Sequence, residues 1–222
     1  MNINILSSNV NGNLQPGLNM AFPCPIFFKR LVISPPIIDK LSKKYLKEAH
    51  DTLGTVTSNV GGWRSEEDFF ESTHYEEKQF KMILQDEIMD MFSQVNTGDQ
   101  GSISLSDIDL TGWVNINFSH DFKKSHVHAG AHWAGVYYLD IKTKNGSQNT
   151  GQIDFTDPRN GSFSSYYKNS PFFPPRISHM PQKGELILFP CWLYHNVCPS
   201  PDLEYRISIG VDILVKKDFY AS

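Results

Sequence analysis

The sequence predicts an α+β fold in which helices come first and an antiparallel β-sandwich or barrel follows. Three observations carry this expectation. Two stretches before residue 95 space their apolar residues at helical intervals. After about residue 105 the chain changes to short apolar or alternating runs: "GWVNINF", "WAGVYYLDI", "GQIDF", "GELILF", "LYHNV" and "YRISIGVDILV". These runs are separated by Gly, Asn, Pro and Asp with no helical pattern between them, which points to antiparallel neighbours rather than a parallel sheet with crossover helices.

Residues 1–20 are rich in Asn, Ser and Gly and read as a loose or edge segment. The run "FPCPIFFKRLVI" (22–33) reads as a strand whose prolines keep it off the centre of a sheet. "SPPIIDKLSKKYLKEAHDTL" opens with a serine and two prolines, a helix-start signal, and then places Ile38, Leu41, Tyr45 and Ala49 on one face. In "HYEEKQFKMILQDEIMDMFSQV", Phe80, Ile83, Leu84, Ile88 and Met91 form a second apolar stripe. Between the helices, "SNVGGWRS" (58–65) joins paired glycines to Trp63, the composition of a tight turn that packs an indole. The chain therefore divides into supporting helices over about 36–95 and a β core over about 105–216, within a single domain spanning 1–222. The long aromatic, proline-rich stretch 160–180, "NGSFSSYYKNSPFFPPRISHM", fits either a lid or a packed crossover.

Composition bounds the function. The 222 residues include 24 acidic and 20 basic side chains, for a net charge of −4, with 40% hydrophobic residues. That balance gives no basic face for nucleic acid or for a membrane surface. No apolar run reaches the roughly 18–20 residues of a transmembrane helix, and the N-terminus lacks the basic and apolar regions of a secretory signal. Cys24, Cys191 and Cys198 are odd in number and not spaced for zinc, so free thiols in a cytoplasmic protein are expected. The homodimer is left open.

Three of the eight histidines fall within "SHVHAGAHWAGVYYLD" (125–140), at 126, 128 and 132. His126 and His128 are two apart, so on an extended strand both imidazoles project from one face and can share a transition metal. His195, in "FPCWLYHNV" after the run "GELILF", is the candidate third ligand. His132 reads as an outer or surface residue. A second signal lies eleven residues beyond His195. Arg206 sits in the otherwise apolar run "YRISIGVDILV", where a guanidinium needs an anionic partner. That partner is a ligand carboxylate gripped in bidentate fashion, or a protein carboxylate such as Asp212 or Glu204. Ser208 shares its parity.

Taken together, these residues resemble the Fe(II)- and 2-oxoglutarate-dependent oxygenases built on a double-stranded β-helix, a jelly-roll or cupin-like barrel. The nearer resemblance is to a branch of that family found in marine bacteria and their viruses. The matching words are "SNVGGWRS", "WVNINF", "HVHAGAHWAGVYYL", "DPR", "GELILFPCWLYHNV" and "RISI", in order along most of the chain from about 22 to 215. The resemblance implies a dioxygenase that hydroxylates a small-molecule or peptidyl substrate while 2-oxoglutarate is decarboxylated to succinate. It implies iron ligands at His126 and His195, and Arg206 and Ser208 on the far carboxylate of 2-oxoglutarate. Asn115, Asn117 and Tyr138 are implied as further co-substrate contacts, and Asp157 and Arg159 as residues on the substrate side.

His128 departs from the family pattern, which has a carboxylate at this position. Either His128 completes a three-histidine set, or Asp121, Asp140, Asp154 or Asp157 supplies a carboxylate; the three-histidine set is the reading adopted. Two other classes stay open at this point. One is a cupin-like three-histidine metal enzyme that does not use 2-oxoglutarate, and the other is a non-catalytic binding barrel.

Overall fold

The computed structural model describes residues 3–5, 18–20, 24–95, 103–159 and 176–216. In chain order the elements are β1 (Ile3–Ile5), β2 (Leu18–Met20), β3 (Phe27–Arg30), α1 (Pro35–Asp51), β4 (Asn59–Val60), β5 (Trp63–Arg64), α2 (Tyr75–Val95) and β6 (Ile108–Asn117). They continue as β7 (Phe122–His126), β8 (Trp133–Thr143), β9 (Ile153–Thr156), β10 (Arg176–His179), β11 (Glu185–Pro190), β12 (His195–Val197) and β13 (Leu203–Val215). Strands β1 and β2 pair with each other in parallel, so part of the segment expected to be loose is paired. The remaining strands form two antiparallel sheets, β3-β11-β8-β13-β6-β5 and β10-β9-β12-β7-β4. Most of the stretch read as a lid or crossover lies outside the described residues; its last part is β10.

The helices form where their apolar spacing predicts. Ser34 stands before α1 with proline at the first turn, and Ile38, Leu41 and Tyr45 are buried. On α2, Phe80, Leu84, Ile88 and Met91 are buried. Both helices lie on the outer face of the six-stranded sheet, where Tyr137, Leu139, Ile207, Ile209, Val211 and Ile213 complete one core with them. Phe80 meets the Tyr137 ring at 4.9 Å. The opposite face of this sheet packs on the five-stranded sheet. Tyr138, Ile187 and Phe189 from the one join Ile153 and Phe155 from the other in a second, smaller core. The prolines and composition of the first strand run place β3 at a sheet edge, as expected.

The segment between the helices does more than pack an indole. Asn59–Val60 extends the five-stranded sheet beside β7, and Trp63–Arg64 extends the six-stranded sheet beside β6. Only Gly61 and Gly62 separate them, both with φ near +70°. A Cβ on Gly61 would stand 2.0 Å from Asp121 Oδ1, so a side chain is excluded by contact as well as by conformation. At the other margin the two sheets meet through side chains. Glu185 of β11 receives Arg30 of β3 at 2.7 Å and lies 2.8 Å from His179 Nε2 of β10, while the His179 ring stands edge-on to Phe28 at 5.4 Å.

A three-histidine pocket with two unpaired cations

Between the sheets lies a pocket of about 470 Å³ of empty space, part of it open to solvent, lined by residues of β6 to β9 and β11 to β13. His126 ends β7 and pairs directly with His195 at the start of β12. His128 lies just past the end of β7, held by its backbone N–H on Cys191 O at 2.9 Å. Their ligand atoms all fall within 4.8 Å of one another, and they are the only such cluster of three or more His, Cys, Asp or Glu among the described residues. His126 and His128 thus share a pocket with His195, although His128 stands past the end of the strand on which the parity expectation was built.

The outer ring nitrogens show how these imidazoles are held. His126 Nδ1 lies 2.7 Å from Lys124 O, and His195 Nδ1 lies 2.9 Å from Leu193 O. A ring nitrogen facing a carbonyl must carry the proton, which leaves the lone pair on Nε2. His128 Nδ1 lies 2.6 Å from Asp212 Oδ1, although the two are out of line for a hydrogen bond. The Nε2 atoms of His128 and His195 are 3.4 Å apart. That contact is a hydrogen bond when His128 carries its proton on Nε2, and a place for a shared cation when it does not. Burial is the main cause that drives the pKa of His126 down to about 4 and that of His195 down to about 3, so both rings are neutral near pH 7. A neutral, oriented imidazole set of this kind suits iron, zinc, copper or nickel.

None of the four candidate carboxylates joins the cluster. Asp154 faces Gln152 Nε2 at 2.9 Å and Arg176 at 3.5 Å. Asp121 accepts from Phe118 N, Asp140 pairs with Lys183, and Asp157 pairs with Arg159. His132 is exposed and accepts from Val215 N, outside the cluster.

Arg206 is 2% exposed. Its Nη1 donates to Gly151 O at 2.6 Å and Thr150 O at 3.1 Å, and its Nη2 donates to Asn117 Oδ1 at 3.0 Å. Nε has no partner, and no carboxylate pairs with this guanidinium among the described residues. Neither suggested protein partner reaches it. Glu204 pairs with Lys142, and Asp212 lies against His128. Six residues of extended strand separate Arg206 from Asp212, roughly 20 Å.

Asn115, Tyr138 and Ser208 line the pocket, whereas Asn117 acts one step behind as a support for Arg206. Asp157 and Arg159 bond to each other after β9 and are not part of the pocket lining.

Two pocket residues escaped sequence reasoning, and Asp212, which stands outside the pocket lining, was considered only as a partner for Arg206. Trp113 stacks on His128, with ring centroids 5.8 Å apart and planes 18° from parallel. The Arg64 guanidinium carbon lies 4.6 Å from the Trp113 ring. Asp212 shares the parity of Arg206 and Ser208, and that parity alone could have placed it on the pocket side. Lys123 is the second pocket residue. Its Nζ donates to Asn115 Oδ1 at 2.7 Å. The residue as a whole is partly exposed, but its ammonium end sits deep in the pocket wall. That desolvation, with Arg64 and Arg206 nearby, pushes its pKa down to about 7. No residue lining the pocket is a carboxylate.

Residues 111–212 match the family model described as "Putative 2OG-Fe(II) oxygenase". That span holds all three clustered histidines and Arg206. Over that span the chain matches the 2OG-Fe(II) oxygenase family. Among solved structures, the chain is similar to a prolyl-4-hydroxylase of Pseudomonas putida, at 11% identity and TM-score 0.58, covering 86% of this chain and 93% of that one. It is also similar to a prolyl hydroxylase of Trichoplax adhaerens in complex with a peptide fragment of the hypoxia inducible factor oxygen degradation domain. There the identity is 12% and the TM-score 0.55, with 89% of this chain and 87% of that one covered. HygX of Streptomyces hygroscopicus, with nickel and 2-oxoglutarate bound, matches at 10% identity and TM-score 0.53, over 86% of this chain and 82% of that one. These likenesses show the fold, a double-stranded β-helix with helices on the larger sheet. No protein of curated function matches the sequence.

Proposed function

We propose that this oxygenase hydroxylates a small-molecule or peptidyl substrate, with His126, His128 and His195 holding iron(II) and Arg206 binding the distal carboxylate of 2-oxoglutarate. The observation that carries the reading is the pairing, in one pocket, of three convergent lone pairs with a buried guanidinium that has no anion. The donor set fits the metal: the three imidazole ligand atoms lie within 4.8 Å of one another, two of the Nδ1 atoms are fixed by carbonyls, and the third faces a carboxylate. When bound, iron(II) and 2-oxoglutarate supply oxidative decarboxylation to succinate coupled to oxygenation of a C–H bond.

The chain's own residues do the rest. Arg206 offers a planar fork to a carboxylate, with Asn117 and the Thr150 and Gly151 carbonyls fixing its orientation. Ser208 adds a hydroxyl on the same face of β13. Asp212 supplies the negative charge beside His128 that the family pattern places in the ligand set itself. Phe155 and Phe189 pack around His195 and exclude water from that side. Trp192 and Tyr194, both exposed, flank the chain entering β12 and offer a substrate an aromatic surface beside His195.

No helix is long and apolar enough to cross a membrane among the described residues. Three free cysteines and a net charge of −4 support a cytoplasmic setting and a substrate other than nucleic acid. The test is succinate. Purified protein given iron(II), ascorbate and 2-oxoglutarate should release succinate in air, slowly without a substrate and faster with one. The His195→Ala protein, folded, should release none and retain no iron. Absence of succinate from wild type across a panel of substrates, with iron bound, would defeat this reading.

A further inference from the structure

Besides Arg206, the pocket contains a second cation that the oxygenase reading leaves unused. Lys123 lies three residues before His126, and strand alternation would turn it to the opposite face. The pairing of β7 with β12 prevents this. His195 opposes His126 and Val197 opposes Lys123, so three steps on β7 match two on β12. The extra residue is a bulge, and it brings the Lys123 side chain into the same pocket as the histidine.

The position of this lysine along the pocket is fixed by β6. Asn117 holds Arg206, Asn115 holds Lys123, and Trp113 stacks on His128. These three residues alternate along one face of one strand, at steps of about 6.6–6.8 Å. The order from the deep end is therefore guanidinium, ammonium, metal ligands. A diacid held at the histidines with its far end on Arg206 must pass the level of Lys123.

Lys123 is also short of acceptors. An ammonium has three N–H donors. Asn115 Oδ1 takes one, and no other acceptor takes the rest among the described residues. No carboxylate lines the pocket to balance either cation, and an enclosed charge without a counter-charge is costly.

We infer that Lys123 and Arg206 form a two-cation clamp on the distal carboxylate of the co-substrate, with Lys123 as a determinant of dicarboxylate over monocarboxylate 2-oxo acids. The inference rests on the oxygenase reading. Arg206 supplies the fork and Lys123 a point charge from the facing sheet, so the carboxylate is held from both walls of the sandwich.

The test compares two 2-oxo acids of equal chain length, 2-oxoglutarate and 2-oxopentanoate, which lacks the distal carboxylate. Each is titrated into anaerobic iron(II)-loaded wild type and Lys123→Met, following the metal-to-ligand charge-transfer band that the 2-oxo acid end produces. Lys123→Met should weaken 2-oxoglutarate by about 10- to 100-fold, the usual loss for a hydrogen bond to a charged group. It should leave 2-oxopentanoate unchanged, so that the preference for the diacid shrinks by the same factor. Lys123→Gln replaces it, with the same expectation, if the methionine variant does not fold. Equal weakening of both acids would assign Lys123 to the metal end or to structure, and an unchanged 2-oxoglutarate affinity would make it a bystander; either overturns the clamp. Failure of wild type itself to give the band would instead defeat the parent reading.

Discussion

The two faces of β13 differ in almost every property. The odd-numbered side chains Ile207, Ile209, Val211 and Ile213 are at most 1% exposed and pack on the helices. The even-numbered positions are Arg206, Ser208 and Gly210, which line the pocket, and Asp212, which stands beyond that lining against the outer nitrogen of His128. At Gly210 even a methyl group would overlap the Trp113 indole, at 2.6 Å from Cε2. One strand thus serves as core on one side and as site on the other, and the alternation of the pleat keeps the two jobs apart. Changes on one face should therefore register in stability, and changes on the other in ligand binding.

The strongest challenge to that division is a reciprocal pair. Arg206→Met should cost about 2 to 5 kcal/mol of 2-oxoglutarate binding, because it removes a buried charged partner, while iron stays bound. Ile209→Ala should cost about 2 to 5 kcal/mol of folding stability, with the folded protein binding 2-oxoglutarate as wild type does. Denaturant unfolding and co-substrate titration of both proteins measure the two costs side by side. If both variants lose both properties equally, the faces are not independent.

A smaller effect is expected at the mouth end of the polar face. Asp212→Asn removes the charge facing His128 Nδ1 and should weaken metal binding by about 10- to 100-fold, the range seen when outer partners of metal ligands are lost. Competition with a chelator of known affinity reads this directly, and a stability change without a metal effect would move Asp212 to the structural side.

The mildest test is acid. In the metal-free protein, His126 and His195 titrate near 4 and 3, against about 6.5 when unfolded. Between those values the unfolded chain binds more protons, so stability falls as pH drops. The contribution of these rings to stability is complete above about pH 6.5 and is lost progressively towards pH 4 and 3. Unfolding midpoints of the metal-free protein across this window should decline, and His195→Ala should flatten part of the slope.

Much of this was legible from the sequence because it obeys simple periods. Phe80, Leu84, Ile88 and Met91 announced α2, and Arg206 in an apolar run announced a buried charge needing an anion. His126, His128 and His195 were found by residue type and spacing. What was not legible came from interruptions of those periods. Lys123 violates strand alternation because of a bulge that only the β7–β12 pairing reveals. Asp212 stood among the alternative partners for Arg206 because composition shows charges but not the distance between them along a strand. The strands β4 and β5 are two residues each, too short for any periodicity to register.

Those two short strands make the two margins of the sandwich unlike each other. Asn59–Val60 belongs to one sheet and Trp63–Arg64 to the other, with two glycines between. This margin of the sandwich resembles the spine of a book, because the chain itself stitches the sheets together there. The opposite margin is a clasp, with Glu185 fastened to Arg30 and His179 and closed by Phe28. The one margin is thus held by covalent chain and the other by side chains, and its central residue, Glu185, has Arg30, His179 and Gln182 as its partners, none of them a metal ligand or Arg206.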